Sequence, residues 1–383
     1  MSDTYIPRFY KALEDYCRPG KVLVIYGPRQ VGKTTLIKQF LAGCALPYRL
    51  DSGDNVLTRT LLSGADFKTI RDYVAGFSVI VIDEAQKIEG IGECLKIMVD
   101  QMPDLRIIVS GSSSFELAGQ IGEPLTGRKT TLTLFPIAQL ELQQTHNLLD
   151  LKAALSDYLI YGAYPEVVQC DHQQAKQDAI LEITGAYLFK DILELDKIKS
   201  SKTLVNLLRL LALQIGSEVS LSELAQQLML DAKTVKRYLD ILEKAFVIYP
   251  LHGFSRNLRK EMTKKSKYYF YDVGIRNALI ANFNALSLRN DVGALWENFI
   301  FMERVKRNAY LKIPVNYYFW RTWNQKEIDL IEERGGALYG YEFKWAPQSV
   351  RPIKEWIETY ENAYFDVVHR DNYLNFVGSS VVE

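Results

Sequence analysis

Lys21 to Tyr26 (KVLVIY) is a short β-rich run that leads straight into Gly27-Pro28-Arg29-Gln30-Val31-Gly32-Lys33-Thr34-Thr35, and a helical pattern follows from Leu36 to Leu41. Strand, G-x-x-x-x-G-K-T, helix is a narrow prescription for a fold. Its glycines let consecutive backbone N–H groups curl around an anion, and the helix N-terminus adds about half a positive charge there. Gly27 to Thr35 are therefore expected to cradle the phosphates of ATP. Lys33 would reach the β- and γ-phosphates, and Thr34 would hold Mg²⁺.

A phosphate loop of this kind needs a second acidic strand, and Ser78-Val-Ile-Val-Ile-Asp83-Glu84 supplies it. Asp83 is expected to hold Mg²⁺ through water, and Glu84 to act as the general base on the attacking water. A third apolar strand, Leu105 to Val109, ends in Ser110-Gly111-Ser112-Ser113-Ser114, where Ser112 is the candidate to orient that water. Taken alone, a serine-rich turn is only a turn. Arg128, after Gly127 and before a strand-like Thr130 to Leu134, reads either as an arginine finger, acting in cis or from a neighbouring subunit, or as a surface arginine.

Composition bounds the rest. The chain of 383 residues has 46 Lys+Arg against 46 Asp+Glu and is 48% hydrophobic, which excludes disorder and collagen and leaves room for two to four domains. The four cysteines, Cys17, Cys44, Cys94 and Cys170, make no C-x-x-C pair, so neither structural zinc nor a disulfide framework is expected. Met1 to Gly20 lacks the apolar run of a signal peptide, and no stretch approaches a membrane span. The expectation is a soluble, cytoplasmic protein. Zero net charge neither demands nor excludes nucleic acid, because a basic face on one domain is offset by acids elsewhere.

The middle of the chain reads as a winged helix. Lys202 to Ile215 is amphipathic, Ser220-Leu-Ser-Glu223 opens a second helix with capping-box spacing, and Asp231 caps a third from Ala232 to Ala245. On the third helix Val235, Leu239, Leu242 and Phe246 form a core stripe, while Lys233, Lys236 and Arg237 share another face. With the strand-like Phe246 to Leu251 behind it, this helix is expected to enter a DNA groove through those three basic residues. From His252 to Lys267 six Lys/Arg stand against one Glu, a surface suited either to phosphates or simply to water.

In the last hundred residues, Ala294 to Asn308 is an apolar-periodic helix carrying Glu297 between Trp296 and Phe299. Two strand patterns, Glu327 to Ile331 and Ala337 to Trp345, flank Gly335-Gly336. A two-residue hairpin turn at those glycines sets Asp329 opposite Glu342 and Glu327 opposite Lys344. Alternation puts Glu342 and Lys344 on one face and Tyr341, Phe343 and Trp345 on the other. Facing carboxylates repel unless a cation separates them, and a divalent metal is the simplest one. Asp329, Glu342 and Glu297 are thus the candidate ligands of a second Mg²⁺ or Mn²⁺. Lys344 would position a metal-bound water at a scissile phosphate. The other reading is a solvated charged face on an amphipathic hairpin.

GPRQVGKT, VIDEAQK, VSGSSS and LTGRKTTLTLFPIAQLE together resemble the AAA+ class. More narrowly, they resemble a family of bacterial and archaeal ATPases with a C-terminal domain of uncharacterised function similar to PD-(D/E)XK nucleases. Tyr161-Gly-Ala-Tyr-Pro165-Glu166, Tyr187 to Asp191 and Tyr268 to Gly274 are further matches. The resemblance implies an α/β protein: a P-loop AAA+ core with a parallel sheet at 1–145, a helical lid at 146–200, a winged helix at 201–275 and an α/β nuclease-like domain at 276–383. Its expected function is Mg²⁺-dependent ATP hydrolysis coupled to DNA binding, with metal-dependent cleavage in view. The alternative is a nucleotide-controlled switch whose inactive nuclease-like domain grips a protein partner or a second copy of the chain, since a fold outlives its turnover.

Overall fold

The structure, a computed structural model, describes residues 6–64, 66–112, 124–186, 201–254, 265–322, 326–348 and 350–378. The chain divides into two compact units, one of Arg8–Phe135 with Lys244–Phe246, the other of Met1–Pro7, Pro136–Glu243 and Val247–Glu383.

The first unit is an open parallel sheet. Strands β1 (Val22–Tyr26), β2 (Tyr48–Ser52), β3 (Val79–Asp83), β4 (Arg106–Ser110) and β5 (Lys129–Thr133) lie in the order β2-β3-β4-β1-β5, every neighbouring pair parallel. All of β1 and the first four residues of β3 are buried, as expected of strands covered on both faces. One core joins the sheet residues Val22, Val24, Ile80, Ile82 and Ile107 to Ile91, Leu95 and Met98 of the helix Ile91–Gln101. Because the strands are parallel, the residues that follow β1, β3 and β4 share one edge of the sheet. The phosphate loop, Asp83–Glu84 and Ser110–Ser112 all lie there.

The second unit begins with short helices, among them Leu155–Tyr161, Pro165–Gln169 and Gln173–Ala186, and continues with Ser201–Leu213, Leu221–Leu228 and Ala232–Lys244. The expected helices of the middle region are therefore present. Ser220 caps the second by accepting from the Glu223 N–H, and Asp231 accepts from the Thr234 N–H ahead of the third. Strands β6 (Glu218–Val219), β7 (Ile248–Gly253), β8 (Ser266–Phe270), β9 (Asn316–Arg321), β10 (Glu327–Arg334), β11 (Ala337–Lys344) and β12 (Ala363–His369) then form a single sheet in the order β12-β11-β10-β9-β7-β8-β6.

This sheet corrects one expectation. The β7–β8 hairpin does not stand out as a free wing, because β7 also pairs in parallel with β9, through His252–Tyr318 and Gly253–Phe319. The helix Val292–Tyr310 is tied to β8 by Asn298, whose side chain accepts from the Phe270 N–H and donates to the Phe270 carbonyl, both at 2.8 Å. The two short motifs YGAYPE and YYFYDVG interlock: buried Asp272 accepts from the backbone N–H groups of Ala163 and Gly274, each at 2.8 Å. Tyr187 to Asp191 lie outside the described residues.

Candidate nucleotide site and C-terminal acid cluster

The first site grows from the end of β1. Gly27 has a φ of 145°, and a Cβ there would stand 1.9 Å from the Leu134 carbonyl oxygen, so only glycine lets the chain turn out of the sheet at this point. The loop is braced from below by Arg8, 4% exposed, which donates to the carbonyls of Val31 and Phe135. Lys33 opens the helix Lys33–Ala42 and is buried, its Nζ 2.8 Å from the carbonyls of both Gly27 and Pro28. Thr34 is exposed beside it, and its Oγ1 donates to Asp83 Oδ2 at 2.7 Å.

Asp83 is held from both sides, its Oδ1 accepting from Ser110 Oγ and from the Glu84 N–H. Glu84 adopts the left-handed region, φ 49° and ψ 39°, a conformation that costs a non-glycine residue energy and concentrates at functional sites. Its Oε2 accepts from Gln86 Nε2 at 2.6 Å, and the same amide lies 3.2 Å from Ser112 Oγ. Gln86 Oε1 is buried with no hydrogen-bond partner. Ser110, Gln86 and Arg8 were not singled out from the sequence. Only the Gln86 position within DEAQK carried a signal, a polar residue two places after the acid.

The donor set fits Mg²⁺ and a nucleotide triphosphate: a hydroxyl and a carboxylate in contact, a lysine at the loop and a second carboxylate one residue on. Arg128 is not brought to this edge. It precedes β5, whose first residue, Lys129, pairs with Val22 at the start of β1, so about 13 Å of strand separates it from the loop. Arg128 Nε instead lies 2.6 Å from Asp100 Oδ1. The reading as a cis arginine finger is thereby corrected.

The C-terminal candidates meet in the second unit. Gly335 and Gly336, with φ of 57° and 77°, form the two-residue turn, and the β10–β11 pairs run from Arg334–Ala337 to Leu330–Tyr341, in the expected register. Beyond Leu330, Asp329 Oδ2 accepts from the Phe343 N–H at 2.8 Å. The β10–β11 ladder ends at Leu330–Tyr341, so neither Asp329–Glu342 nor Glu327–Lys344 is a ladder pair, and on its other edge Glu327 pairs with Arg321 of β9. The faces alternate as expected. Lys344 Nζ lies 2.6 Å from Glu342 Oε1, while Tyr341 and Phe343 both pack on Phe376.

A residue the sequence reading had put on a basic surface changes this site. Lys267, on β8, is 2% exposed, and its Nζ lies 3.0 Å from Glu297 Oε1 and 2.5 Å from Glu327 Oε1. Buried Tyr269 donates to the same Glu297 oxygen at 2.5 Å. Burial works against the Lys267 ammonium, but Glu297, Glu327 and Asp329 outweigh it and hold the proton more tightly than usual. Burial, then the neighbouring Glu297 and Glu342 carboxylates, push the Asp329 carboxyl well above the carboxylate range. Glu342 Oε2 is buried without a hydrogen-bond partner. Among the described residues no three acidic, histidine or cysteine side chains converge as a metal cage. The expected second Mg²⁺ or Mn²⁺ on Asp329, Glu342 and Glu297 therefore does not fit the site as built, because an ammonium already holds Glu297.

Lys233, Lys236 and Arg237 are all exposed on the helix Ala232–Lys244, and Val235, Tyr238, Leu239 and Leu242 are buried on its other side. Of the basic segment around residues 255–264 the structure describes only the flanks. No helix among the described residues is long and apolar enough to cross a membrane.

Three family models match the chain: an AAA domain over residues 19–143, a domain of unknown function (DUF8612) over 152–286 and a domain of unknown function (DUF4143) over 292–376. The chain is 30% identical over 331 residues to "Uncharacterized protein Rv2008c" of Mycobacterium tuberculosis, covering 84% of this chain and 70% of that protein. It is 22% identical to "Uncharacterized protein MJ1544" of Methanocaldococcus jannaschii, covering 82% and 72%. Among solved structures it is similar to a Signal Transduction ATPase with Numerous Domains (STAND) protein with a tetratricopeptide repeat sensor from Pyrococcus horikoshii. That likeness has 12% identity and a TM-score of 0.30, and covers 80% of this chain and 46% of the other.

Proposed function

From the premise that the chain belongs to the family of bacterial and archaeal proteins that carry an AAA domain ahead of DUF4143, we propose that it is an ATP hydrolase whose nucleotide cycle governs contact with DNA. The observation that carries the first half is the contact between Thr34 Oγ1 and Asp83 Oδ2 at 2.7 Å beside buried Lys33. Mg²⁺ held by Thr34 and, through water, Asp83 would supply neutralisation of the phosphate charge. Lys33 leaves the loop carbonyls for the β- and γ-phosphates. Glu84 takes the proton of the attacking water, its carboxylate aimed by Gln86, and Gln86 in turn links it to Ser112. As an arginine finger Arg128 would act on a neighbouring subunit's nucleotide, which requires an oligomer.

For the second half, we read residues 146–200 as a lid, and 201–275 as a helix-turn-helix whose hairpin belongs to the same sheet as the strands of the nuclease-like module at 276–383. The exposed Lys233, Lys236 and Arg237 make the phosphate contacts. Coupling between nucleotide and DNA is inferred from the order of these modules. Phosphate release measured with and without duplex DNA over a range of salt tests it: stimulation that fades as salt rises supports the reading, and equal rates throughout count against it. The second reading, a switch whose C-terminal module binds without cutting, is favoured by one observation, the ammonium of Lys267 inside the acid cluster.

A further inference from the structure

We propose that Lys267 is the resident cation of the C-terminal acid cluster, standing in for the divalent ion that such a set of carboxylates would otherwise collect. The inference goes beyond the ATPase reading and does not depend on it. Glu297 from the helix Val292–Tyr310 and Glu327 from β10 both contact Lys267, and Asp329 of β10 lies in the field of Glu297 and of Glu342 on β11, without the four converging as a cage. Left alone they would repel one another in a site largely shielded from water. Lys267 reaches them from β8, a strand on the far side of β7 and β9 from β10, and it is the long side chain that spans the gap. Its Nζ bridges Glu297 and Glu327 at 3.0 and 2.5 Å and lies 5.4 Å from the centre of the Phe319 ring. Tyr269, two residues along the same strand, takes up the remaining demand of Glu297 Oε1.

The geometry has a chemical consequence. An ammonium neutralises carboxylates but has no empty coordination position, so it cannot polarise a water or a phosphodiester as a bound metal does. Lys344, the residue that would position such a water, spends its charge on Glu342. The cluster is thus a closed ion network that ties β8, β10, β11 and the long helix together. The carboxylates do not form a metal cage around Lys267 as it stands; an uncharged residue of similar length removes the cation that holds them apart and frees them to close on a divalent ion.

The test is Mn²⁺ binding to the nucleotide-free full chain, read by calorimetry and by the shift in thermal midpoint, in wild type, Lys267→Met, Asp329→Asn and the double variant. Lys267→Met is expected to be less stable than wild type, to bind Mn²⁺ saturably and to regain its midpoint when Mn²⁺ is added. Adding Asp329→Asn should abolish that binding. Wild type should show no binding that Asp329→Asn removes. Saturable wild-type binding lost in Asp329→Asn overturns the proposal, as does a folded Lys267→Met that takes up no Mn²⁺. Should Lys267→Met fail to fold, Lys267→Gln, which keeps a polar tip, takes its place. Refolding of either variant only when Mn²⁺ is present counts in favour.

Discussion

At the scale of single residues the account rests on side chains whose roles separate experimentally. Asp291 illustrates this outside the nucleotide site. Burial raises its carboxyl, but hydrogen bonds from Arg289 and Arg276 outweigh that and hold it at about 2, against an ordinary 3.8. A depressed folded-state value means that the stabilisation is complete above 3.8 and is lost as pH falls towards about 2. The stability difference between wild type and Asp291→Asn, followed by chemical denaturation, should therefore hold steady at neutral pH and shrink across that acid window. A difference that does not change with pH would remove the ion network as its source. The residues of the candidate nucleotide site were legible because they lie in contiguous motifs: Gly27 to Thr35 follow β1, Asp83 ends β3 with Glu84 next, and the parallel sheet brings both to one edge. Ser110, Gln86 and Arg8 were not, because hydrogen bonds to carboxylates and carbonyls from elsewhere in the chain leave no local pattern.

At the scale of elements, short sequence signals proved strong where a turn or a close approach decided them. The Gly335-Gly336 turn set the β10–β11 register, and the apolar stripe set the helix Ala232–Lys244. The sequence pattern erred at the far end of the hairpin: the turn fixes the register but not how far the ladder runs, and it stops at Leu330–Tyr341, short of Asp329 and Glu327. Two predictions belong here. Gly162 has a φ of 79°, and a Cβ on it would lie 2.0 Å from Asp272 Oδ1. Gly162→Ala should therefore destabilise the second unit by about 2 to 3 kcal/mol, seen as a lower denaturation midpoint. An unchanged midpoint would show that YGAYPE and YYFYDVG are not locked as described. Replacing Lys233, Lys236 and Arg237 by Ala should weaken DNA binding and flatten its dependence on salt by up to about three units of log–log slope. Binding that is negligible in wild type, or unaltered in the triple variant, would move the function towards a protein partner.

At the scale of the molecule, the parallel sheet of the first unit could be read from its continuous apolar strands and motifs, although β2 was not singled out, whereas the seven-stranded sheet of the second could not be read. Its middle is the pairing of β7 with β9, which joins the hairpin expected to be a wing to the strands expected to form a separate nuclease-like domain. Pairing between strands so distant in sequence leaves no periodicity to detect, and each region taken alone looks like a complete small module. The same join explains the misread lysine. In a run of basic residues Lys267 resembles its neighbours, and only the fold shows that its side chain turns inward to Glu297 and Glu327. The charge of this protein is therefore spent in two different ways, on an exposed helix face and inside a closed network.

The central claim, ATP hydrolysis between the phosphate loop, Asp83 and Glu84, is tested most directly by measuring ATP binding and phosphate release side by side in wild type, Lys33→Ala and Glu84→Gln. The account predicts that Lys33→Ala loses productive binding, while Glu84→Gln retains ATP and turns it over about 10² to 10⁴ times more slowly than wild type. Normal turnover in either variant would contradict it.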